Sequence, residues 1–442
     1  MSARTTLLRD VVLVDVDARR LRPSSAILVR NGRIAATGPV QEFTHPVDEV
    51  VDGGGAYAVP GLIDAHIHLR ASAHVGPSDA APTPRLAPGS HESVDVSALV
   101  RRAQTFLWAG VTSVFDAGNN SVLIRAVRAA ERSGDVVAPR IHCTGNLFTA
   151  RGGHGETASI PVDDDSDIPR LVAEHASLDP DVVKITYDEH GWGVRPLVPV
   201  LRQQTLARLI AEVHRHGRKV TVHVSHELRA RQALDCGADV LAHPVIQSPV
   251  TDEFTERLSR DRIPVVSTLT IGERYHRLAD APEFLDQPFY RACEEPEELH
   301  RLRTQESVFQ RGNRWADWMR VMTPVAQANI AQLVQAGGVL GAGTDQSFGP
   351  DFHRELELLA AAGLSTWQVL RAATTGAAAA IDRSGELGTF DVGAHADVLL
   401  VAADPVADVA HLRQITAVFK GGQRVDRDAL DLPVNRTRAV TA

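Results

Sequence analysis

With 442 residues, the chain is long enough for one barrel-sized domain plus a smaller one. Its 46 Lys and Arg against 55 Asp and Glu give a net charge of −9, which offers no basic surface to a nucleic-acid backbone or an anionic membrane. Hydrophobic residues at 44% and charged residues at 23% are ordinary for a folded soluble protein and argue against disorder.

Cys143, Cys236 and Cys293 are too few, and odd in number, for a disulfide framework. The first 16 residues carry Arg4, Arg9, Asp10 and Asp15 among their apolar positions, which breaks any signal-peptide core. A cytoplasmic protein is expected, with no membrane span. The 19 histidines stand out against four Tyr and three Met, so their placement carries the argument.

The N-terminal stretch reads as short strands, with Asn31-Gly32 between two apolar runs as a hairpin turn. The C-terminal stretch repeats the style around Gly421-Gly422. Between residues 60 and 384, short β-branched runs alternate with helical periodicity, the pattern of βα units around a parallel sheet. Eight runs qualify as strands: 63–68, 112–116, 140–144, 182–187, 219–224, 239–243, 264–268 and 339–345. Helical segments such as 94–109, 201–216 and 352–362 separate them, with Gly110 and Gly217 as stop signals. The expected fold is α/β, a (β/α)8 barrel. The division is 1–59, 60–384 and 385–442. Residues 270–323 form a long insert without a strand, which reads equally as a lid over the active face and as a contact between copies of the chain.

His66 and His68 stand two apart at the end of the first strand run, so both imidazoles face the same way. Other runs also finish in ligand-type residues: Lys184, His223, His243 and Asp345. Each alone reads as a satisfied polar residue; five strand ends of this kind together point to a metal site.

These residues, with the segment from Val59 through Pro-Gly-Leu-Ile-Asp-Ala-His-Ile to His68 and the Gly-Thr-Asp ending at Asp345, resemble the amidohydrolase superfamily. The spacing of Lys184, His223 and His243 and the Gly152-Gly-His-Gly155 loop resemble its imidazolonepropionase-like and prolidase-like branch, with Xaa-Arg dipeptidases and ochratoxin amidases. The resemblance implies a distorted TIM barrel with a β-sandwich built from both termini. It implies two divalent metal ions, most readily zinc. His66, His68, Lys184 and Asp345 would hold the more buried one. A carbon dioxide-derived carbamate on Lys184, with His223 and His243, would hold the other. A hydroxide bridging the two would attack an amide carbonyl, with Asp345 as general base.

The implied reaction is cleavage of a C–N amide bond in a dipeptide, N-acyl amino acid or similar carboxylate-bearing small molecule, and a homo-oligomer is compatible with the chain. Arg70, two past His68, suits a substrate carboxylate and keeps a cyclic-amide hydrolase open as the alternative. His154 and Tyr187 are the other substrate-binding candidates, with His190, Trp192, Arg195 and His226 as weaker rim positions. A mononuclear deaminase would need a Glu where His226 stands, and a metal-free scaffold relative would have lost ligands that this chain keeps. Ala242 stands where these relatives often have a Glu before the later histidine, and Pro244 after that histidine is unusual; both bear on the surroundings of His243.

Overall fold

The computed structural model describes residues 4–70, 96–155, 159–189, 194 and 196–436. His190, Trp192 and Arg195 lie outside them.

Both ends of the chain build one sheet. Strands β1 (Thr5–Asp15), β2 (Arg20–Arg30), β3 (Arg33–Pro39), β4 (Glu49–Asp52) and β5 (Tyr57–Pro60) are joined by β16 (Val398–Val401), β17 (Ile415–Lys420) and β18 (Gln423–Arg424), with β5 between β1 and β16. The β2–β3 hairpin turns at Asn31 and Gly32, both at positive φ as a type I′ turn requires. Side chains alternate between two cores. Ala58, Val398 and Leu400 pack into a cluster of the terminal strands, while Val59, Leu399 and Val401 face the larger cluster of the central layer.

The central layer is parallel. It contains β6 (Leu62–Ile67), β7 (Val111–Asp116) and β8 (Arg140–Cys143) in one sheet. A second sheet holds β9 (Leu147–Ala150), β10 (Ser159–Val162), β11 (Val183–Thr186), β12 (Val220–His223), β13 (Val240–Ala242), β14 (Pro264–Val266) and β15 (Val339–Gly341). All eight strand runs read from the sequence are present, and β9–β10 is an additional pair. Backbone bonds cross both seams: Asp181 N–H donates to the Cys143 carbonyl at 2.9 Å, and Ala65 N–H to that of Ala342 at 2.9 Å.

Two strand ends differ from expectation. The run at 264–268 stops at Val266, because the amides of Thr268, Leu269 and Thr270 turn to the buried carboxylate of Glu355 and start a helix. The run at 339–345 stops at Gly341, because the following residues pair with β6 instead: Asp345 N–H donates to the His66 carbonyl at 2.7 Å. Gly343 permits that approach, since a Cβ there would lie 2.9 Å from His66 Cβ.

The helices that position the site are α1 (Val96–Trp108), α2 (Ser121–Ser133), α3 (Ile168–Ala176), α4 (Gln203–Arg215), α5 (Glu227–Asp235) and α6 (Asp252–Arg260). Then come α7 (Leu269–Asp280), α8 (Pro288–Cys293), α9 (Pro296–Arg301), α10 (Ser307–Arg311), α11 (Arg314–Gln335) and α12 (Pro350–Ala361). Gly110 and Gly217, at positive φ, end α1 and α4 as the sequence indicates. Among the described residues no helix is long and apolar enough to cross a membrane.

Candidate active site

A cavity of about 250 Å³ opens at the carboxyl ends of the parallel strands. His66, His68, Lys184, His223, His243 and Asp345 all line it. Lys184 is 2% exposed, and its Nζ lies 3.4 Å from His66 Nε2. The rings of His66 and His243 are 4.5 Å apart, and those of His223 and His243 4.4 Å. Asp345 Oδ1 is 3.3 Å from His68 Nε2 and 3.8 Å from His66 Nε2.

Buried carboxylates hold these strand ends. Asp64 accepts from the Thr344 hydroxyl at 2.7 Å and from the amides of Thr344 and His66, tying β6 to the Gly-Thr-Asp segment. Asp116 accepts from the amides of Leu69 and Gly118 and from Asn119 Nδ2, fixing the loop after His68. Burial raises the pKa of both. Three residues at the strand ends sit at positive φ: His243 at 90°, Thr268 at 147° and Asp345 at 54°. Strain of this kind persists only where the surroundings over-determine it.

Electrostatics follow from the crowding of six titratable groups. Burial, only partly opposed by Asp345, brings the Lys184 ammonium down to about 7. Burial and the neighbouring cationic groups push His66 and His243 well below the ordinary imidazole range. For Asp345, burial pushes upward, but the hydrogen bond from His68 and the charges of His66, His68 and Lys184 outweigh it and hold the carboxyl low.

The donor set fits a cation. His68 Nδ1 donates to the Gly118 carbonyl at 2.8 Å, which turns Nε2 to the Asp345 oxygen at 3.3 Å. A positive charge, either a proton on Nε2 or a metal ion, holds those two atoms at that separation. His66, His68 and Asp345 place three ligand atoms within 4.8 Å of one another. His154, Asp188 and His223 do the same on the far side.

The amidohydrolase family model matches residues 57–237 and 313–425, most of the chain. The chain belongs to the amidohydrolase family. It is accordingly a hydrolase acting on carbon–nitrogen bonds. The imidazolonepropionase of Thermoanaerobacter pseudethanolicus is 22% identical over 414 residues, covering 85% of this chain and 83% of that one. The ochratoxinase of A. niger superposes with a TM-score of 0.77 at 19% identity, covering 96% of each chain. A prolidase solved with N-methylphosphonate-L-proline superposes at 0.74 and 21% identity, covering 95% of this chain and 99% of that one. These likenesses concern the fold.

On this amidohydrolase, Arg70 and His154 line the cavity. Among the described residues no partner meets the Arg70 guanidinium; only its backbone is held, by Ser347. The His154 ring stands 4.5 Å from that of His223, and its carbonyl accepts from Thr149 and Thr186. Tyr187 is not brought to the cavity. It stands three residues past Lys184 and so faces the other side of the strand, where its hydroxyl donates to Gln232 at 3.1 Å. His226 caps α5, its Nδ1 accepting from Leu228 N–H, and Glu227 is engaged by Arg231 and Thr251.

Asp188 and Glu355 are absent from the sequence reading. Asp188 is buried, accepts from Ser225 Oγ at 2.8 Å and lies 3.2 Å from His223 Nε2. It shares parity with Lys184 and Thr186, a signal available in the sequence. Glu355 acts from α12, with no local pattern to mark it.

Proposed function

We propose that the chain is a binuclear metal-dependent amidohydrolase that cleaves the C–N amide bond of a dipeptide, N-acyl amino acid or similar carboxylate-bearing small molecule. The convergence of His66, His68, Lys184, His223, His243 and Asp345 on one cavity carries this reading. His66, His68, Lys184 and Asp345 would hold the more buried cation; a carbamate on Lys184, with His223 and His243, would hold the other. Two such cations, zinc in this reading, would supply Lewis acidity and lower the pKa of a water bound there towards about 7.

The residues divide the remaining work. The Asp345 carboxylate, held in its charged form, takes the proton of the attacking water and returns it to the leaving nitrogen. His154 faces the reacting group from the loop after β9. Arg70 offers a guanidinium fork to the substrate carboxylate. The same Arg70 favours a cyclic-amide hydrolase as the second reading.

The reading extends to the whole chain. Backbone bonds across both seams support a distorted (β/α)8 barrel over 60–384. The terminal strands' own core supports a β-sandwich of 1–59 and 385–442. Three free cysteines suit a reducing cytoplasm.

The test is metal analysis after loading with zinc and bicarbonate, followed by a screen of N-acyl amino acids, dipeptides and hydantoins. Close to two metals per chain and turnover of an open-chain amide are expected. Fewer than about one metal per chain would refute the binuclear reading, and turnover of hydantoins alone would select the cyclic-amide alternative.

A further inference from the structure

The cavity wall is chemically lopsided. Its charged and imidazole groups come from strand ends and from the loops carrying Arg70 and His154, whereas α7 and the start of α11 contribute Ile271, Tyr275, Trp315 and Met319. Ile246 continues the apolar surface below them. Tyr275 and Trp315 meet edge-to-face with ring centroids 6.3 Å apart, and Trp315 and Met319 are buried. Gly272 lets the two helices close on each other: a Cβ there would stand 3.1 Å from Thr323 Oγ1 and 3.5 Å from Met319 Sδ.

Ile271 and Tyr275 lie between the two stretches that the family model matches, 57–237 and 313–425, and Trp315 and Met319 lie just inside the second. A volume of about 250 Å³ holds about eight waters at about 30 Å³ each, more than an acetyl or glycyl group displaces.

We infer that the substrate carries, besides the carboxylate met by Arg70, a bulky aliphatic or aromatic group that packs against Ile271, Tyr275, Trp315 and Met319, with Tyr275 and Met319 as specificity-determining residues. The inference rests on the amide-hydrolase reading. Filling this wall expels ordered water from apolar surface, and each methylene fitted in such a pocket is worth about 10- to 200-fold in discrimination.

The metal-loaded enzyme is assayed for kcat/KM on N-acetylglycine, N-acetylleucine and N-acetylphenylalanine, alongside Tyr275→Ala, Met319→Ala and the conservative Tyr275→Phe. The ratio of bulky to glycine substrate cancels the folded fraction of each variant. It is expected to be tenfold or more in the parent and in Tyr275→Phe, and to fall about tenfold in both alanine variants. A second readout needs no turnover: calorimetric binding of 3-phenylpropanoate is expected to be at least tenfold tighter than that of acetate, with the difference lost in the same two variants. Amide turnover without a bulk preference would overturn this inference and leave the activity standing. Wall-dependent binding of 3-phenylpropanoate with no amide cleaved would do the reverse.

Discussion

Glu355 is the residue whose replacement tests how the site is held. Its carboxylate is 0% exposed on α12, where Oε1 accepts from the amides of Thr268 and Leu269 at 3.2 and 3.1 Å, and Oε2 from Thr270 N–H and Oγ1 at 2.7 and 2.6 Å. Those amides begin α7, and they hold Thr268 at a φ of 147° with its hydroxyl 2.8 Å from His243 Nδ1. In Glu355→Gln one oxygen becomes an NH2 that faces a donor. One or two buried N–H groups then lose their acceptor, at about 1–3 kcal/mol each. Against this stands relief of the burial that already raises the Glu355 pKa, so a net loss of about 2 kcal/mol is expected. Glu355→Ala strands all three amides and adds a cavity, and a loss of about 4 kcal/mol follows. Urea unfolding followed by circular dichroism reads both. Because Thr268 is released to relax, the affinity for the metal that His243 would bind is expected to fall about 10- to 100-fold in Glu355→Gln. An unchanged urea midpoint together with unchanged metal affinity would refute the chain of contacts from Glu355 through Thr268 to His243.

Other replacements probe separate parts of the molecule. Lys184→Ala is expected to abolish turnover, with partial recovery in acetate or formate; full activity without them would remove the lysine from the mechanism. His353 is buried, donates Nε2–H to the Ala109 carbonyl at 2.8 Å, and has its pKa lowered by burial to about 4. Between pH 6.5 and about 4 the unfolded state binds the extra proton, so stability falls as pH drops through that window, by about 3 kcal/mol in total. His353→Gln is expected to flatten this part of the pH–stability curve, and a curve of unchanged slope would count against it. Phe352→Ala empties a site that is 0% exposed in the main core, with an expected cost of about 3–5 kcal/mol read as a lower urea midpoint at constant m value.

Strand ends were the most legible part of the sequence. A residue such as Lys184 between Val183 and Ile185 announces itself because a charge inside a β-branched run needs a reason, and period-two alternation then says which neighbours share its face. The same alternation places Tyr187 on the outer side and Asp188 on the inner, so parity, rather than distance along the chain from Lys184, separates the two. Glu355 and Asp116 were hidden for a different reason. All the partners of Glu355 lie on another βα unit, and Asp116 adds a remote one, Leu69, to its neighbours Gly118 and Asn119, so a local window does not show what either carboxylate ties together. The ends of β14 and β15 were overrun because what stops them is also remote: Glu355 for the first, the β6 backbone for the second.

The terminal sheet sets an order on how the chain can be made. Strand β5 leads directly into the segment that carries His66 and His68, yet its partner β16 is translated only after the whole central layer. At about 5–20 residues per second, roughly 20–70 s separate the emergence of Val59 from that of Leu399, which pairs with it. During that interval β5 has one edge covered by β1 and the other open, a template for any strand that arrives first. A ribosome that stalls late, or a chain cut before Val398, therefore leaves the strand that carries His66 and His68 attached to an unfinished edge, and such chains are the ones expected to need a chaperone.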